Sequence, residues 1–208
     1  VNSTDKEKRE KYVKHLYKKL QREGQLERDV DRLVRNDRIA WGSSMIACKD
    51  ADAMVTGNIR HYAASIEKLK KVTEPRPGEE IFGMTMITLK GKTILVADTN
   101  VQDFPSPERL VKVSKSCVRV ARLFGFDPKV AFLSHSTFGK PISKNTKHVR
   151  DAIELLKKEN VDFDFDGEMQ PDVALNPIYQ EIYPFSKIVG NANILIMPAL
   201  HSAAISTK

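Results

Sequence analysis

Apolar side chains near the start of the chain recur every three or four positions, a spacing typical of amphipathic helices. One face of the first predicted helix carries Val13, Leu16, Tyr17 and Leu20. This helix begins at a capping box, Thr4-Asp5-Lys6-Glu7, and stops at Gly24. The same spacing predicts helices over residues 26–49, with a break near Asn36-Asp37, and over residues 61–72.

From residue 53 onward, short apolar runs alternate with helical stretches. The predicted strands are residues 53–56, 81–89, 93–97, 130–133, 161–165 and 194–197. The predicted helices among them cover residues 106–125, 144–159 and 172–182. Lys90-Gly91-Lys92 has the composition of a hairpin turn. This order predicts an α/β fold, with a mainly parallel sheet, helices on both faces and one antiparallel hairpin.

Composition narrows the class of protein. The chain has 208 residues, 41% of them hydrophobic, which is enough to bury a core. Its net charge of +7 arises mostly within residues 6–22, and only 7% of residues are aromatic, so we expect no nucleic-acid partner. No long apolar run and no leader is present, so we expect no membrane span and a cytoplasmic location. Cys48 and Cys117 lack a CxxC partner and are predicted to be reduced.

The carboxyl ends of the predicted strands are where α/β sheets bind ligands. The segments there are 56–58, 98–100, 134–140, 166–168 and 197–198. Ser134 to Lys140 is the best candidate, because its hydroxyls and backbone N–H groups could contact an anion and Lys140, Lys144 and Lys147 add positive charge. An ordinary strand-to-helix loop, with Ser143 as the helix cap, explains the same residues equally well.

Other chemistries have weaker support. Neither a GxGxxG nor a GxxxxGK[ST] motif occurs. Asp98, Asp166 and Glu168 could form an acid/base or metal set, although capping of turns is the usual role of Asp beside Gly and no metal is expected. The five histidines are scattered, and Trp41 is interpreted as a packing anchor.

Several motifs together resemble one family. These are residues 32–38 (RLVRNDR), 52–57 (DAMVTG), 97–99 (ADT), 133–139 (LSHSTFG), 166–169 (DGEM) and 192–198 (ANILIMP). They resemble the phosphotransacetylase-like region of large bacterial NADP-dependent malic enzymes, and the resemblance covers almost the whole chain. The ending, residues 200–208, is more similar to those malic enzymes than to free phosphate acetyltransferases.

The resemblance implies that residues 1–208 are a fragment of one phosphotransacetylase-like domain, with an isocitrate/isopropylmalate dehydrogenase-like fold. Such regions have two α/β subdomains around a cleft, and this chain would hold mostly the second. The malic half, with NADP and a divalent metal (Mg or Mn), would precede Val1, so no cofactor is expected in this segment. The resemblance also implies a homodimer or higher homo-oligomer and binding of acetyl-CoA, or a related acyl-CoA, as a regulator.

The chain departs from true transacetylases at several motif positions. Phe138 replaces a lysine and Lys140 a serine, whereas Thr99 replaces a cysteine and Glu67 an arginine. We therefore expect no catalytic residue in this segment, because acyl transfer needs such groups to stabilise developing charge. Contacts to acyl-CoA or phosphate are expected from Ser134, Ser136, Thr137, Gly139, Lys140, Asp98 and Thr99.

Three functions follow from these observations. The first is a regulatory and oligomerising module of a malic enzyme that oxidatively decarboxylates malate to pyruvate. The second is a phosphate acetyl- or butyryltransferase that exchanges an acyl group between CoA and phosphate. The third is a structural dimerisation domain, with the apolar faces of the first two helices as its surface.

Overall fold

The computed structural model describes residues 5–57, 60–98 and 101–208. These residues form two compact units, of which the first ends at Arg76 and the second is Pro77–Lys208. The first unit is helical and the second contains the sheet. Within the described part of the chain, no helix is both long enough and apolar enough to cross a membrane.

The first unit is a group of four α-helices around one apolar core. They are α1 (Lys6–Leu20), α2 (Glu27–Asn36), α3 (Arg38–Ala47) and α4 (Tyr62–Val72), with a short 3-10 helix, Gln21–Glu23, after α1. The rings of Trp41 and Tyr12 pack in a T-shaped arrangement with 5.0 Å between centroids, which confirms the packing role predicted for the tryptophan. Asp5 caps α1 through a bond from the Lys8 N–H, whereas Thr4 of the predicted capping box lies outside the described residues.

Asp37 makes the predicted break between α2 and α3. Its Oδ1 accepts hydrogen bonds from the N–H groups of Ile39, at 2.9 Å, and Ala40, at 3.1 Å, so it caps α3. Its Oδ2 pairs with Arg60, at 2.7 Å, and with Lys68. Although burial opposes ionisation, these bonds hold the pKa of the Asp37 carboxyl well below its usual range.

The predicted strand over residues 53–56 is wrong. These residues have no regular secondary structure in the first unit, and the Val55 side chain is fully exposed. The apolar pattern of a strand is present, but among the described residues no neighbouring strand pairs with this segment.

The second unit is built on a five-stranded sheet in the order β1-β2-β5-β3-β4. The strands are β1 (Met84–Leu89), β2 (Lys92–Ala97), β3 (Lys129–Leu133), β4 (Asp164–Met169) and β5 (Ile194–Ile196). β1 and β2 form the predicted antiparallel hairpin, and Lys90 and Gly91 both have positive φ, as its tight turn requires. The other pairings are parallel.

Helices cover both faces of this sheet, as predicted. They are α5 (Pro107–Leu123), α6 (Lys147–Lys158), α7 (Pro171–Leu175) and α8 (Leu200–Ser206), with 3-10 helices at Lys144–Thr146 and Pro177–Glu181. Alternate strand residues point to opposite faces. Leu95 and Phe132 pack with α5 and α6 in one core, whereas Val96 and Ala131 lie in the other core with residues of α7 and α8.

Two predicted elements in the later part of the second unit need correction, and one helix there was not predicted. The strand predicted at 161–165 is found at Asp164–Met169. Val161 and Phe163 precede this strand, and their side chains pack against the core formed with α5 and α6. The helix predicted at 172–182 is interrupted at Asn176, since the following residue, Pro177, disfavours helical backbone before it. The spacing analysis did not predict α8, which is short and rich in small residues.

Both cysteines are free thiols, as predicted. Burial within α5 raises the pKa of Cys117 to about 12. Burial also raises the pKa of Cys48, at the end of α3. Both thiols are therefore protonated at neutral pH, which makes them poor nucleophiles.

Gly167, in the middle of β4, has no room for a side chain. Its φ is +143°, and a Cβ built there would lie 2.6 Å from the carbonyl oxygen of Phe132. We expect Gly167→Ala to lower the free energy of unfolding by about 2–3 kcal/mol, because the β3 backbone would have to move. Gly125→Ala is the control, since Gly125 has φ +78° but open space around it and should cost only about 1 kcal/mol. Equal losses in urea unfolding would contradict the steric argument.

Asp37 gives the first unit a specific dependence on pH. Because its folded-state pKa is depressed, the unfolded chain binds the proton first as pH falls, and the stabilisation is lost below about pH 5. We expect Asp37→Asn to be less stable than wild type at pH 7, and the difference to shrink towards pH 2. The stability difference is measured at each pH by thermal unfolding, with circular dichroism as the signal. Asp52→Asn, at an exposed carboxyl, should show no such difference, and a constant gap for Asp37→Asn would refute the assignment.

Candidate functional site

The carboxyl ends of four parallel strands meet along one edge of the sheet. Asp98 follows β2, Met197-Pro198 follows β5, Ser134–Lys140 follows β3, and Glu168 lies at the end of β4. Since β5 lies between β2 and β3, Asp98 and the Ser134–Lys140 loop are two strand spacings apart, about 10 Å. The five loop residues predicted from sequence are therefore together, and Asp98 is a more distant neighbour. Asn58, Thr99 and Asn100 lie outside the described residues.

The Ser134–Lys140 loop ends in a tight turn. Thr137 N–H donates to the Lys140 carbonyl, at 2.8 Å, and Lys140 N–H donates to the Thr137 carbonyl, at 3.1 Å. Phe138 and Gly139 form the tip and both have positive φ, +48° and +86°. These bonds and angles are those of a type I′ turn. The Phe138 side chain at its tip is partly buried against the core that includes α7 and α8.

A buried carboxylate holds this loop. Glu168 is 1% exposed, and its Oε1 accepts from the Ser136 hydroxyl, at 2.9 Å, and from the Gly139 N–H, at 2.9 Å. The Phe138 N–H also donates to the Glu168 backbone carbonyl, at 2.7 Å. The donors of Ser136 and Gly139 are thus satisfied inside the protein, which fixes the shape of the loop.

Arg150 compensates the charge of Glu168. Its Nη1 lies 3.3 Å from Glu168 Oε1 and donates to Thr146 Oγ1 at 2.6 Å, and its Nη2 donates to the Ser143 carbonyl at 3.2 Å. The Ser143 hydroxyl accepts from Asn145 N–H, at 3.2 Å, so the capping role predicted for Ser143 is present. Arg150 joins α6, the loop and β4 into one polar network.

Of the loop residues predicted to contact a ligand, Thr137 and Lys140 have polar groups left for one. The Thr137 hydroxyl accepts a bond from the Gln170 N–H, at 3.2 Å, and retains its own proton as a donor. The Lys140 side chain is exposed. Ser134 and Ser136 are buried, with 3.2 Å between their hydroxyl oxygens. An anion at this edge would therefore meet a hydroxyl and an ammonium group at the turn.

Asp98 holds the base of the hairpin against α5. Its Oδ1 accepts from the Gly83 N–H, at 2.6 Å, and its Oδ2 lies 3.3 Å from Arg109 Nη2. Arg109 also donates to Glu80 and to the carbonyl of Ile81. Because the ion pair of Asp98 and Arg109 is almost completely buried, removal of either side chain would leave the other charge uncompensated.

Asp98, Asp166 and Glu168 are each bonded to separate partners. Asp166 accepts from the N–H groups of Gly167, at 2.9 Å, and Lys187, at 2.7 Å, so it shapes the backbone at the outer edge of β4. Among the residues that the structure describes, no group of three or more His, Cys, Asp or Glu side chains could hold a metal ion.

A separate cavity of about 800 Å³ lies within the first unit. Two of the segments that carry the family resemblance line it, residues 35–38 at the α2–α3 junction and residues 53–56. Trp41 also lines the cavity, and its buried indole N–H has no hydrogen-bond partner among the residues that the structure describes. The apolar residues Met45, Met54 and Val55 complete much of the wall.

Sequence reasoning missed the connections made by Glu168, Arg150 and Arg109. Arginines within amphipathic helices are normally exposed, so neither Arg109 in α5 nor Arg150 in α6 had a sequence signal of burial or pairing. Glu168 was considered a candidate acid or metal ligand, yet its partners are 18 to 32 positions away in sequence.

Removal of the Glu168 carboxylate should release the loop. Glu168→Ala leaves the Ser136 and Gly139 donors unpaired, and we expect a loss of about 1–3 kcal/mol in unfolding free energy and faster amide exchange over residues 134–140. Glu168→Gln keeps an acceptor and should cost less. Hydrogen exchange with mass spectrometry measures the loop, and Glu154→Ala, at an exposed pair with Lys157, is the control. Unchanged exchange in Glu168→Ala would disprove the anchoring role.

Comparison with known proteins identifies the family. The phosphate acetyl/butaryl transferase family matches residues 1–208. An NADP-dependent malic enzyme of Rhizobium meliloti is 45% identical over 197 residues, which cover 95% of this chain and 26% of that protein. A phosphate acetyltransferase of Nitratidesulfovibrio vulgaris is 30% identical over 173 residues, 82% of this chain and 25% of that protein.

Solved structures of phosphotransacetylases have a similar fold. A phosphotransacetylase from Streptococcus pyogenes superposes with a TM-score of 0.82 at 27% identity, over 94% of this chain and 61% of that one. The α/β fold and the resemblance derived from the motifs are confirmed. The chain spans about a quarter of the length of these curated relatives, and it belongs to the phosphate acetyl/butaryl transferase family.

Proposed function

We propose that this chain is the phosphotransacetylase-like regulatory region of a cytoplasmic NADP-dependent malic enzyme and that it binds acetyl-CoA, or a related acyl-CoA, at the carboxyl edge of its sheet. The observation that supports the site is the Thr137–Lys140 turn, held rigid by Glu168 with a hydroxyl and an ammonium group left for an anion. The 45% identity to an NADP-dependent malic enzyme supports the parent protein.

In this proposal the region binds without catalysing acyl transfer. Phe138 occupies the turn position where the resemblance implies a lysine in transacetylases, so a positive charge is replaced by an apolar ring. The Asp98 carboxylate is engaged with Arg109 and Gly83. A site that transfers acyl groups needs cations and hydrogen-bond donors directed at the developing negative charge. The replacement of a lysine by Phe138 removes one such cation.

Regulation requires more than binding. Acetyl-CoA can shift the enzyme between active and inactive assemblies only when its affinity for the two differs. The proposal therefore includes a homodimer or higher homo-oligomer of the intact protein, with NADP and a divalent metal bound by the malic half. The family resemblance supports both of these parts.

Acyl transfer between CoA and phosphate is the second candidate function. The family match over residues 1–208 and the superposition of 94% of the chain on a phosphotransacetylase favour it. Formation of acetyl phosphate from acetyl-CoA and phosphate by the intact protein distinguishes it from a purely regulatory role.

The test is isothermal titration of acetyl-CoA into the intact protein and into a Thr137→Ala/Lys140→Ala variant. We expect wild type to bind, and the variant to bind at least tenfold more weakly, because each charge-assisted hydrogen bond contributes about 1.5–3 kcal/mol. Lys158→Ala is the matched control, since Lys158 is an exposed lysine at the far end of α6.

Malate oxidation provides the functional readout. Acetyl-CoA should change the rate of the wild-type enzyme, and the double variant should need a higher concentration for the same effect. Equal sensitivity of an enzyme that lacks this region would overturn the regulatory proposal. Steady production of acetyl phosphate would instead support the transferase.

A further inference from the structure

Three aromatic rings gather beside the turn at the carboxyl edge of the sheet. The Phe138 ring centroid lies 4.8 Å from that of Phe185 and 5.3 Å from that of Tyr183, and the last two are 6.0 Å apart. Phe138 belongs to the turn tip, whereas Tyr183 and Phe185 follow the 3-10 helix Pro177–Glu181. We call these three side chains the aromatic cluster.

The aromatic cluster is incompletely covered. Phe185 is 65% exposed, although it contacts Phe138. A large aromatic side chain left open to water next to a candidate binding turn is a favourable surface for a ligand, because covering it removes apolar area from water.

The backbone that carries Phe185 is held in place. Two residues later, the Lys187 N–H donates to Asp166 Oδ2, at 2.7 Å, and the Lys187 ammonium lies 5.9 Å from the Phe165 ring centroid. Ile188 is buried in the core that includes α7 and α8. Phe138 is fixed from the other side through the Glu168 backbone carbonyl. The rings therefore form a pre-organised surface, which lowers the entropic cost of binding.

Two lysines follow Phe138 closely in the chain. Lys140 lies across the tight turn from Thr137, one residue beyond the tip formed by Phe138 and Gly139, and Lys144 is exposed at the start of the next 3-10 helix. A ligand that suits this surface has a flat aromatic ring and nearby phosphate groups. The nucleotide end of an acyl-CoA has both, whereas its pantetheine arm has neither an aromatic ring nor a phosphate of its own.

We infer that the adenine ring of the acyl-CoA stacks on the aromatic cluster, mainly on Phe185, with its phosphates towards Lys140. This inference rests on the proposed binding of acyl-CoA and specifies which part of the ligand the loop recognises. Aromatic side chains stack on bases without needing specific hydrogen bonds, so three rings and a lysine are sufficient for such a subsite.

The test compares three probes on the intact protein: acetyl-CoA, adenosine 3′,5′-bisphosphate and S-acetyl-pantetheine. With Phe185→Leu, which keeps apolar bulk but removes the flat ring, we expect the Kd of the first two probes to rise about tenfold. The Kd of S-acetyl-pantetheine should not change. Phe185→Trp should bind acetyl-CoA at least as tightly as wild type. Leu123→Ala, at an exposed residue of the α5 C-terminal end, is the control and should have no effect.

The outcomes separate this inference from the proposed function. If wild type binds acetyl-CoA and Phe185→Leu binds it equally well, the stacking subsite is refuted and the proposed function stands. Equal weakening of S-acetyl-pantetheine would also refute it, since the rings would then contact the acyl arm. If wild type binds none of the probes, the proposed function fails and the subsite fails with it. Circular dichroism of each variant verifies that the fold is retained.

Discussion

The interaction between the Glu168 carboxylate and the loop after β3 organises the whole carboxyl edge of the sheet. A carboxylate that is 1% exposed is costly unless its charge is compensated, and here a hydroxyl, a backbone N–H and Arg150 share that task. The same bonds force the Thr137–Lys140 turn into one shape. The carboxylate therefore fixes the loop on both sides of Thr137, and the Glu168 backbone carbonyl fixes Phe138.

Two further buried carboxylates act at other junctions of the chain. Asp37 caps α3 and pairs with Arg60 and Lys68 within the first unit. Asp98 ties the end of β2 to Arg109 of α5 and to Gly83, just before β1. In each case, a negatively charged side chain satisfies backbone donors where regular structure stops, and an arginine or lysine supplies the compensating charge. The polar groups at these positions therefore determine how the elements are connected.

Much of the fold could be predicted from the sequence, because apolar periodicity and turn residues are local signals. The helix predicted over residues 106–125 agrees within two residues with α5, and Lys90-Gly91 indicated the hairpin. Strand β4 was harder to predict, since Asp164, Asp166 and Glu168 give it the composition of a turn. Residues 53–56 showed the opposite error, because a strand needs a neighbour as well as a pattern.

The candidate site was predictable only in part. Ser134, Ser136, Thr137, Gly139 and Lys140 lie within seven consecutive residues, so one loop contains them all. Which of their donors face a ligand depends on Glu168 and Arg150, and no local pattern identifies partners so far apart in sequence. Thr99 lies outside the described residues, so its expected contact stays a prediction.

The position of β5 has a consequence for how this protein is made. β5 is last of the five strands in sequence, yet it lies between β2 and β3. During synthesis on the ribosome, β2 and β3 emerge long before the strand that joins them. Until residues 194–196 leave the exit tunnel, the sheet is two separate pieces with open inner edges, whereas the helices of the first unit can already pack. The second unit is thus completed late, and its unpaired edges are the surfaces that a chaperone would protect.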